Sequence, residues 1–288
     1  MTRNIVVKVL CVALLGLLAA CGSKRGDRTL IQNKGSDTLV NVAQAWAEAY
    51  AKKKPGVAVA VTGGGSGTGI AALINGTVDI ANASRKMKQK EIDLAKSKGI
   101  EPKEWVVGYD ALAVYIHKDN PKNQYTLKEL ADIYGDGGPT TSWNDLGVKI
   151  PGCGSAEIVR FSRQNNSGTY AYFRKTVLGK GDFKLGSMDL HGSKDVVDAV
   201  EKTPCAIGYS GLAYATEHVQ LADVARDANG PYVTPTVNSA VDGSYPIARP
   251  LLMYTNGEPT GATKEYLDWI LSAEGQAIIK RKGYAPVK

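Results

Sequence analysis

Apolar residues along the chain follow two alternating spacings. Short apolar runs, typical of buried strands, alternate with segments whose apolar residues lie three or four positions apart, typical of amphipathic helices. The strongest helical pattern runs from Leu39 to Lys53 and places Trp46 and Tyr50 on its apolar face. The pattern predicts strands at residues 29–33, 57–61, 78–81, 105–109, 111–117, 158–161, 206–210 and 247–254. It predicts helices at residues 39–53, 67–75, 88–98, 127–134, 169–177 and 193–201, and two helices within 263–280 that meet near Ser272.

The order of these elements predicts an α/β protein with mixed, mostly parallel sheets flanked by helices. The strands 105–109 and 111–117 are nearly in line, which indicates a path from one domain into another. An apolar strand at 247–254 would be the return path. We therefore expect two lobes joined by a two-strand hinge, with residues 29–110 plus 248–288 in lobe 1 and residues 111–247 in lobe 2. Residues 226–243, which contain Pro231 and Pro235, are predicted to form a surface loop.

The first twenty residues have the pattern of an export signal. Two basic residues precede an apolar run from Val9 to Ala20, which is shorter than the roughly 20 residues that a membrane-spanning helix needs. The run ends in Leu-Ala-Ala-Cys at Cys21, which looks like the lipobox of bacterial lipoproteins. Residues 1–20 are therefore predicted to be a lipoprotein signal peptide, Cys21 the lipidation site and residues 21–28 a polar tether. A buried N-terminal helix is the alternative, and the lack of an amphipathic period disfavours it.

Composition narrows the function classes. Hydrophobic residues make up 43% of the chain and charged residues 22%, values that are typical of a folded globular protein. The formal net charge of +7 makes acidic partners plausible. The basic residues are spread over helices such as residues 86–98, without interleaved aromatic residues, so solvated helix faces explain them better than nucleic-acid binding does.

Two cysteines remain once the predicted signal and lipidation site are set aside. Cys153 and Cys205 form an even pair in a chain predicted to enter an oxidising compartment, so a disulfide and two separate thiols both stay open. The three histidines are scattered and no C-x-x-C spacing is present. We therefore expect no metal site.

Candidate chemistry lies in three clusters of glycine and hydroxyl residues, each between a strand end and a helix start. They are residues 35–38 (Gly-Ser-Asp-Thr), residues 63–69 (Gly-Gly-Gly-Ser-Gly-Thr-Gly) and residues 163–169 (Arg-Gln-Asn-Asn-Ser-Gly-Thr). Unpaired N–H groups at a helix start, serine and threonine hydroxyls and close backbone approach at glycine all favour an anion. Arg163 adds a planar fork for an oxyanion. Because ligands of open α/β sheets bind at the carboxyl ends of strands, we predict a tetrahedral oxyanion in the crevice between the lobes.

Other interpretations of these clusters are weaker. Each cluster by itself could be an ordinary helix N-cap or loop. The glycine run contains no lysine, so it is not a Walker loop, and Thr68 breaks both the strict dinucleotide fingerprint and the nucleophile elbow. No histidine lies near a cluster in sequence, which leaves nucleophilic catalysis without an evident base.

These residues resemble the phosphate-binding lipoproteins of bacterial phosphate-specific ABC uptake systems. The resemblance covers the whole mature chain and also includes residues 76–80 (Gly-Thr-Val-Asp-Ile), 83–85 (Ala-Ser-Arg), 206–209 (Ala-Ile-Gly-Tyr), 245–251 (Tyr-Pro-Ile-Ala-Arg-Pro-Leu), 272–276 (Ser-Ala-Glu-Gly-Gln) and 283–287 (Gly-Tyr-Ala-Pro-Val). It implies a two-lobed type II periplasmic binding protein that closes on its ligand by hinge motion. It further implies inorganic phosphate and ABC permease subunits as partners, a periplasmic or cell-surface location on a lipid anchor, and neither a cofactor nor enzymatic activity.

The resemblance also assigns residues to the phosphate site. Carried over by position, the ligand residues would be Ser36, Thr38, Ser66, Arg163, Ser167, Gly168 and Thr169. We add Ser84 and Arg85 of the Ala-Ser-Arg motif and Asp37 of the first cluster as candidate ligand residues. Many family members have an aspartate that accepts the ligand proton where this chain has Arg85, although another branch carries Ser-Arg there. We hypothesise that Asp37 accepts the proton while Arg85 supplies compensating charge, and the alternative for Asp37 is a helix N-cap. Sulfate, molybdate or tungstate binding, a phosphatase and a purely structural surface lipoprotein remain the rival functions.

Overall fold

The computed structural model describes residues 28–287. The predicted signal peptide, the lipidation site Cys21 and the tether up to residue 27 lie outside the described residues. Within residues 28–287, no helix is both long enough and apolar enough to cross a membrane.

Eleven strands and nine α-helices occur in the described part of the chain. The strands are β1 (Thr29–Gly35), β2 (Val57–Thr62), β3 (Ile80–Ala83), β4 (Pro102–His117), β5 (Gln124–Thr126), β6 (Val159–Arg163), β7 (Met188–Leu190), β8 (Ala206–Gly211), β9 (Val219–Leu221), β10 (Asp223–Ala225) and β11 (Ala248–Asn256). The helices are α1 (Val40–Lys53), α2 (Ser66–Ile74), α3 (Gln89–Ser97), α4 (Leu127–Tyr134), α5 (Gly168–Thr176), α6 (Ser193–Glu201), α7 (Val237–Val241), α8 (Gly261–Ile270) and α9 (Ala273–Arg281). The α/β class predicted from the sequence is confirmed.

The main sheet has the strand order β2-β1-β3-β11-β4-β8-β6-β7, and β9 also pairs with β4. β1 pairs in parallel with β2 and β3, and β6 pairs in parallel with β7 and β8. The pairs that β11 makes with β3 and β4, and those that β4 makes with β8 and β9, are antiparallel. β4 changes partner in the middle of its length. Its first part pairs with β11 as far as Ala111, and from Leu112 onward it pairs with β8. One continuous strand therefore belongs to both halves of the molecule, where the sequence predicted two strands in line.

Apolar clusters cover both faces of each half of the sheet. In the first half, one cluster contains Trp46 and Tyr266 from α1 and α8, and another contains Leu73 and Met87. In the second half, a large cluster contains Trp143 and Phe173, and a smaller one contains Val196 of α6. Helices on both faces explain why the central strands are buried without alternation. The division into lobes at residues 110/111 and 247/248 stays a prediction, and the change of partner at Ala111 lies beside it.

Two local expectations change. The predicted surface loop 226–243 was wrong in part, because it contains the short helix α7, whose Ser239 and Ala240 are buried. Thr236 caps this helix by accepting from the N–H of Ser239. Of the two options that the sequence leaves open for the cysteines, the structure has the disulfide: Cys153 and Cys205 are bonded, with Cα atoms 5.0 Å apart. The bond links the segment before β6 to the start of β8.

Candidate functional site

Hydroxyl side chains from four segments meet where the two halves touch. Ser36 and Thr38 follow β1, Ser66 begins α2, Ser84 follows β3 and Thr169 lies in the first turn of α5. The loop after β1 reaches this place because Gly35 has a φ of 145° and passes against the backbone of Asn82, where a side chain would collide. We call Ser36, Thr38, Ser66, Ser84 and Thr169 the hydroxyl cluster. All five side chains are buried.

Hydrogen bonds connect the members of the hydroxyl cluster. Ser36 Oγ donates to Ser84 Oγ at 2.9 Å, and Ser66 Oγ accepts from the N–H of Ser84 at 3.0 Å. The hydroxyls of Thr38 and Thr169 are 3.0 Å apart, and this contact joins the loop after β1 to α5. Gly168 packs so closely on Ser66 and Ser84 that a side chain there would collide with both hydroxyls. The cluster is therefore a compact group of uncharged donors, with the start of α5 against it.

A buried ion pair lies beside this cluster. Arg249 of β11 and Asp110 of β4 are directly opposite each other in the antiparallel register, and Arg249 Nη2 is 2.8 Å from Asp110 Oδ2. Neither side chain has measurable exposure. Arg249 Nη2 also donates to Thr169 Oγ1 at 3.0 Å and Thr38 Oγ1 at 3.3 Å. In the sequence, Arg249 stands out only as part of a family motif, because nothing in its local pattern shows that β4 and β11 place it against the hydroxyls.

Arg163 is the second buried cation, at the end of β6. Its Nη1 donates to Ser193 Oγ at 3.0 Å and its Nη2 to the carbonyl of His191 at 2.7 Å. Asp37 Oδ2 lies 3.4 Å from Nη2. Burial lowers the pKa of Arg163 below its usual value, and the charge of Asp37 opposes this shift. Within the described residues, Arg163 Nε is buried without a hydrogen-bond partner.

The two residues of the acceptor hypothesis have different surroundings. Asp37 Oδ1 accepts from the N–H of Gly64 at 2.8 Å, while its other oxygen faces Arg163. Arg85 instead forms a bidentate pair with Glu91 at 2.8 and 2.7 Å. Burial by itself would raise the pKa of Glu91, but the hydrogen bonds from Arg85 and from the N–H of Lys88 outweigh it and lower the pKa. The structure thus brings Asp37 to Arg163 and directs the guanidinium of Arg85 towards Glu91.

The helix-cap alternative holds for only one of the three clusters. Ser167 is the N-cap of α5, and its hydroxyl accepts from the N–H groups of Thr169 and Tyr170. Helices α1 and α2 have Leu39 and Gly65 at the N-cap, with no side-chain cap. The N-cap interpretation of Asp37 is therefore wrong, because its carboxylate bonds to another loop. The hydroxyls of Ser36 and Thr38 likewise do not cap α1.

Comparison with known proteins shows which family has this architecture. Two α/β halves that share a sheet strand and meet over buried hydrogen-bond donors define a solute-binding protein, and the model of the PBP superfamily domain matches residues 22–274. A curated relative, the phosphate-binding protein PstS of Pseudomonas aeruginosa, is 34% identical over 268 residues, which cover 89% of this chain and 83% of the relative. The chain therefore belongs to the PBP superfamily and, within it, to the PstS family of phosphate-binding proteins.

Solved structures agree with this placement. A Clostridium perfringens protein, described as a candidate phosphate ABC transporter substrate-binding protein with bound phosphate, is 31% identical with a TM-score of 0.78. That match covers 90% of this chain and all of the other. PstS from Borrelia burgdorferi is 26% identical with a TM-score of 0.59, and the match covers 91% of this chain and 100% of that chain. The two-lobed periplasmic-binding-protein fold expected from the sequence is confirmed.

Proposed function

We propose that this protein binds inorganic phosphate between its two halves and delivers it to an ABC importer. The observation that carries the proposal is the meeting of five buried hydroxyls, the start of α5 and the buried cations Arg163 and Arg249. Uncharged donors and arginine forks suit a desolvated tetrahedral dianion. The phosphate-bound relative with 31% identity supports the choice of phosphate over other oxyanions.

The proposed site comprises the ten residues predicted from the sequence, with Arg249 added. In this site, the hydroxyl cluster, Gly168 and the fork of Arg163 would donate to phosphate oxygens. Arg249 would hold Thr38 and Thr169 in place while Asp110 balances its charge. Ser167 would act through its cap of α5, and Arg85 would fix the segment after β3 through Glu91. This arrangement supports a binding role.

Calorimetric titration of the mature domain tests the proposal. We expect one phosphate per protein and much weaker binding of sulfate and molybdate. The two lobes, residues 29–110 plus 248–288 and residues 111–247, should also close on the ligand, so that phosphate lowers the radius of gyration in solution scattering. Hydrolysis of a phosphomonoester would instead favour a phosphatase. Equal affinity for phosphate and sulfate would contradict phosphate as the specific ligand.

Discrimination between phosphate and sulfate should depend on Asp37. Both ligands are tetrahedral dianions, so only an acceptor for the proton of hydrogen phosphate separates them strongly. Asp37 is the candidate because its carboxylate lies at the site beside Arg163. We expect Asp37→Asn to reduce selectivity for phosphate over sulfate by about 100-fold or more while weakening phosphate binding only moderately.

Competition titrations with both anions measure this effect, and Asp79→Asn is the matched control. Asp79 also accepts from a backbone N–H, that of Gln32 at 2.7 Å. Selectivity should be unchanged in Asp79→Asn. If Asp37→Asn excludes sulfate as well as the wild type does, the acceptor is a different group.

We propose further that residues 1–20 are a lipoprotein signal and that lipid on Cys21 anchors the protein outside the cytoplasm. The support is the lipobox, Leu-Ala-Ala-Cys followed by Gly-Ser. Cys21→Ser should move the protein from the membrane fraction to the soluble fraction or leave the signal uncleaved. Fractionation and intact mass measure this result, and Cys11→Ser, inside the signal, should behave like the wild type. Membrane partitioning of Cys21→Ser at the wild-type level would refute the anchor.

A further inference from the structure

A basic cavity lies beside the proposed phosphate site, at the junction of the two halves. Its volume is about 660 Å³, within the range of small-molecule pockets. One wall is the segment between β3 and α3, the other is α5 with the residues that follow it, and Pro250 of β11 lies between them. Six of its lining residues are basic, and no acidic residue lines it: Arg85, Lys86, Lys88, Arg174, Lys175 and Lys180. We call this space the basic cavity.

Nearby carboxylates neutralise only part of this charge. Arg85 pairs with Glu91 and Arg174 with Asp182, while Lys86 lies 3.5 Å from Glu104. In residues 28–287, Lys88, Lys175 and Lys180 form no ion pair. Burial, followed by the charge of Arg85, lowers the pKa of Lys88. Repulsion among cations around one cavity is a cost that an anionic ligand would relieve.

The size and the charge of the basic cavity together indicate the class of ligand. A single phosphate would fill only a small part of it. A chain of linked phosphoryl groups brings about one negative charge per group in an extended shape, which matches three unpaired lysines spread over two walls. The ammonium groups of lysines adapt to such a chain without fixed geometry.

We propose that the basic cavity is a second anion site, which binds an oligophosphate chain of two or three linked phosphoryl groups. Free oligophosphate and the triphosphate of a nucleotide share this chemistry. Both walls contribute cations, so the bound chain would hold the two halves together. Phosphate in the proposed phosphate site would also hold the two halves together. The two ligands should therefore bind at the same time and not compete.

Tripolyphosphate, titrated with and without saturating phosphate, tests the proposal. We expect one tripolyphosphate per protein in both conditions, with affinity in phosphate no weaker than without it. The double variant Lys88→Gln/Lys175→Gln should weaken the binding of tripolyphosphate about tenfold, because two exposed charge contacts are lost. The same variant should leave the affinity for phosphate unchanged. The matched control is Lys52→Gln/Lys282→Gln, which removes two exposed lysines from the groove between α1 and α9. This control should not weaken the binding of tripolyphosphate.

Other outcomes overturn the proposal. If phosphate displaces tripolyphosphate, or if Arg163→Ala abolishes its binding, the chain occupies the phosphate site. If both double variants weaken it equally, only overall charge is involved. A titration with ATP distinguishes free oligophosphate from a nucleotide as the ligand. If ATP and tripolyphosphate bind with equal affinity, the site recognises the phosphoryl chain alone, whereas much tighter binding of ATP identifies a nucleotide as the ligand. A wild type that fails to bind phosphate but binds tripolyphosphate through Lys88 and Lys175 would refute the proposed function and keep this second site.

Discussion

Replacement of Arg163 by alanine should weaken phosphate binding by about 30-fold to several thousand-fold. This range corresponds to about 2–5 kcal/mol, the usual cost of removing one partner from a buried, hydrogen-bonded charge pair. Arg163 is only 1% exposed, and its Nε has no partner within the described residues. An alanine would leave the dianion desolvated and without this fork. Calorimetry with phosphate measures the loss.

Two further variants separate binding from folding. Arg160 lies on the same strand, is 7% exposed and donates to the carbonyls of Ile158 and Leu185, away from the hydroxyl cluster. Arg160→Ala should therefore keep phosphate affinity even if it lowers stability. Arg163→Lys retains charge without the planar fork and should recover only part of the affinity. Wild-type affinity in Arg163→Ala would place the anion elsewhere.

Breaking the Arg249–Asp110 pair should lower the free energy of unfolding by about 3–5 kcal/mol. Arg249→Met leaves the carboxylate of Asp110 buried, with only the N–H of Leu212 as a donor at 3.2 Å. Urea unfolding, followed by tryptophan fluorescence, measures the change. Phosphate should also bind more weakly, because Thr38 and Thr169 lose the donor that connects them.

The double variant Arg249→Met/Asp110→Leu is the control for this pair. With both charges gone, no uncompensated group stays buried, so most of the lost stability should return. Phosphate affinity should not return, since the donor to both threonines is still missing. A single variant as stable as the wild type, or a double variant no more stable than the single one, would contradict this account of the ion pair.

Local patterns predicted most helices and strands in the described part of the chain. Leu127–Tyr134 and Ser193–Glu201 match the predicted bounds because apolar spacing and a clear stop coincide there. Strands β5, β7, β9 and β10, with three residues each, were missed, since three residues are too few to show an alternation. Helix α7 was missed because flanking prolines and glycines resemble a loop, while its cap depends on Thr236.

For the candidate site as well, the local sequence predicted some features, while others depend on contacts between residues far apart in the chain. Glycine and hydroxyl residues at strand ends predicted the segments that meet, because carboxyl ends of neighbouring strands share one edge. The partners of the charged side chains could not be predicted in this way. Arg85 faces Glu91 six residues away, whereas Arg163 faces Asp37, 126 residues away, across the contact between the halves. Only the register of β4 against β11 brings Arg249 to Asp110.

The position of β11 in the sheet has a consequence for how the chain acquires its structure. β11 lies between β3 and β4, yet it is synthesised more than 130 residues after β4 ends. Until it arrives, the edges of β3 and β4 that it later covers have no strand partner from the main sheet, and such edges are prone to wrong pairing. The second half has its strands earlier in the chain and can form first. Completion of the first half should therefore be the slow, late event, and the uncovered edges of β3 and β4 should leave a newly made chain vulnerable to aggregation until β11 inserts.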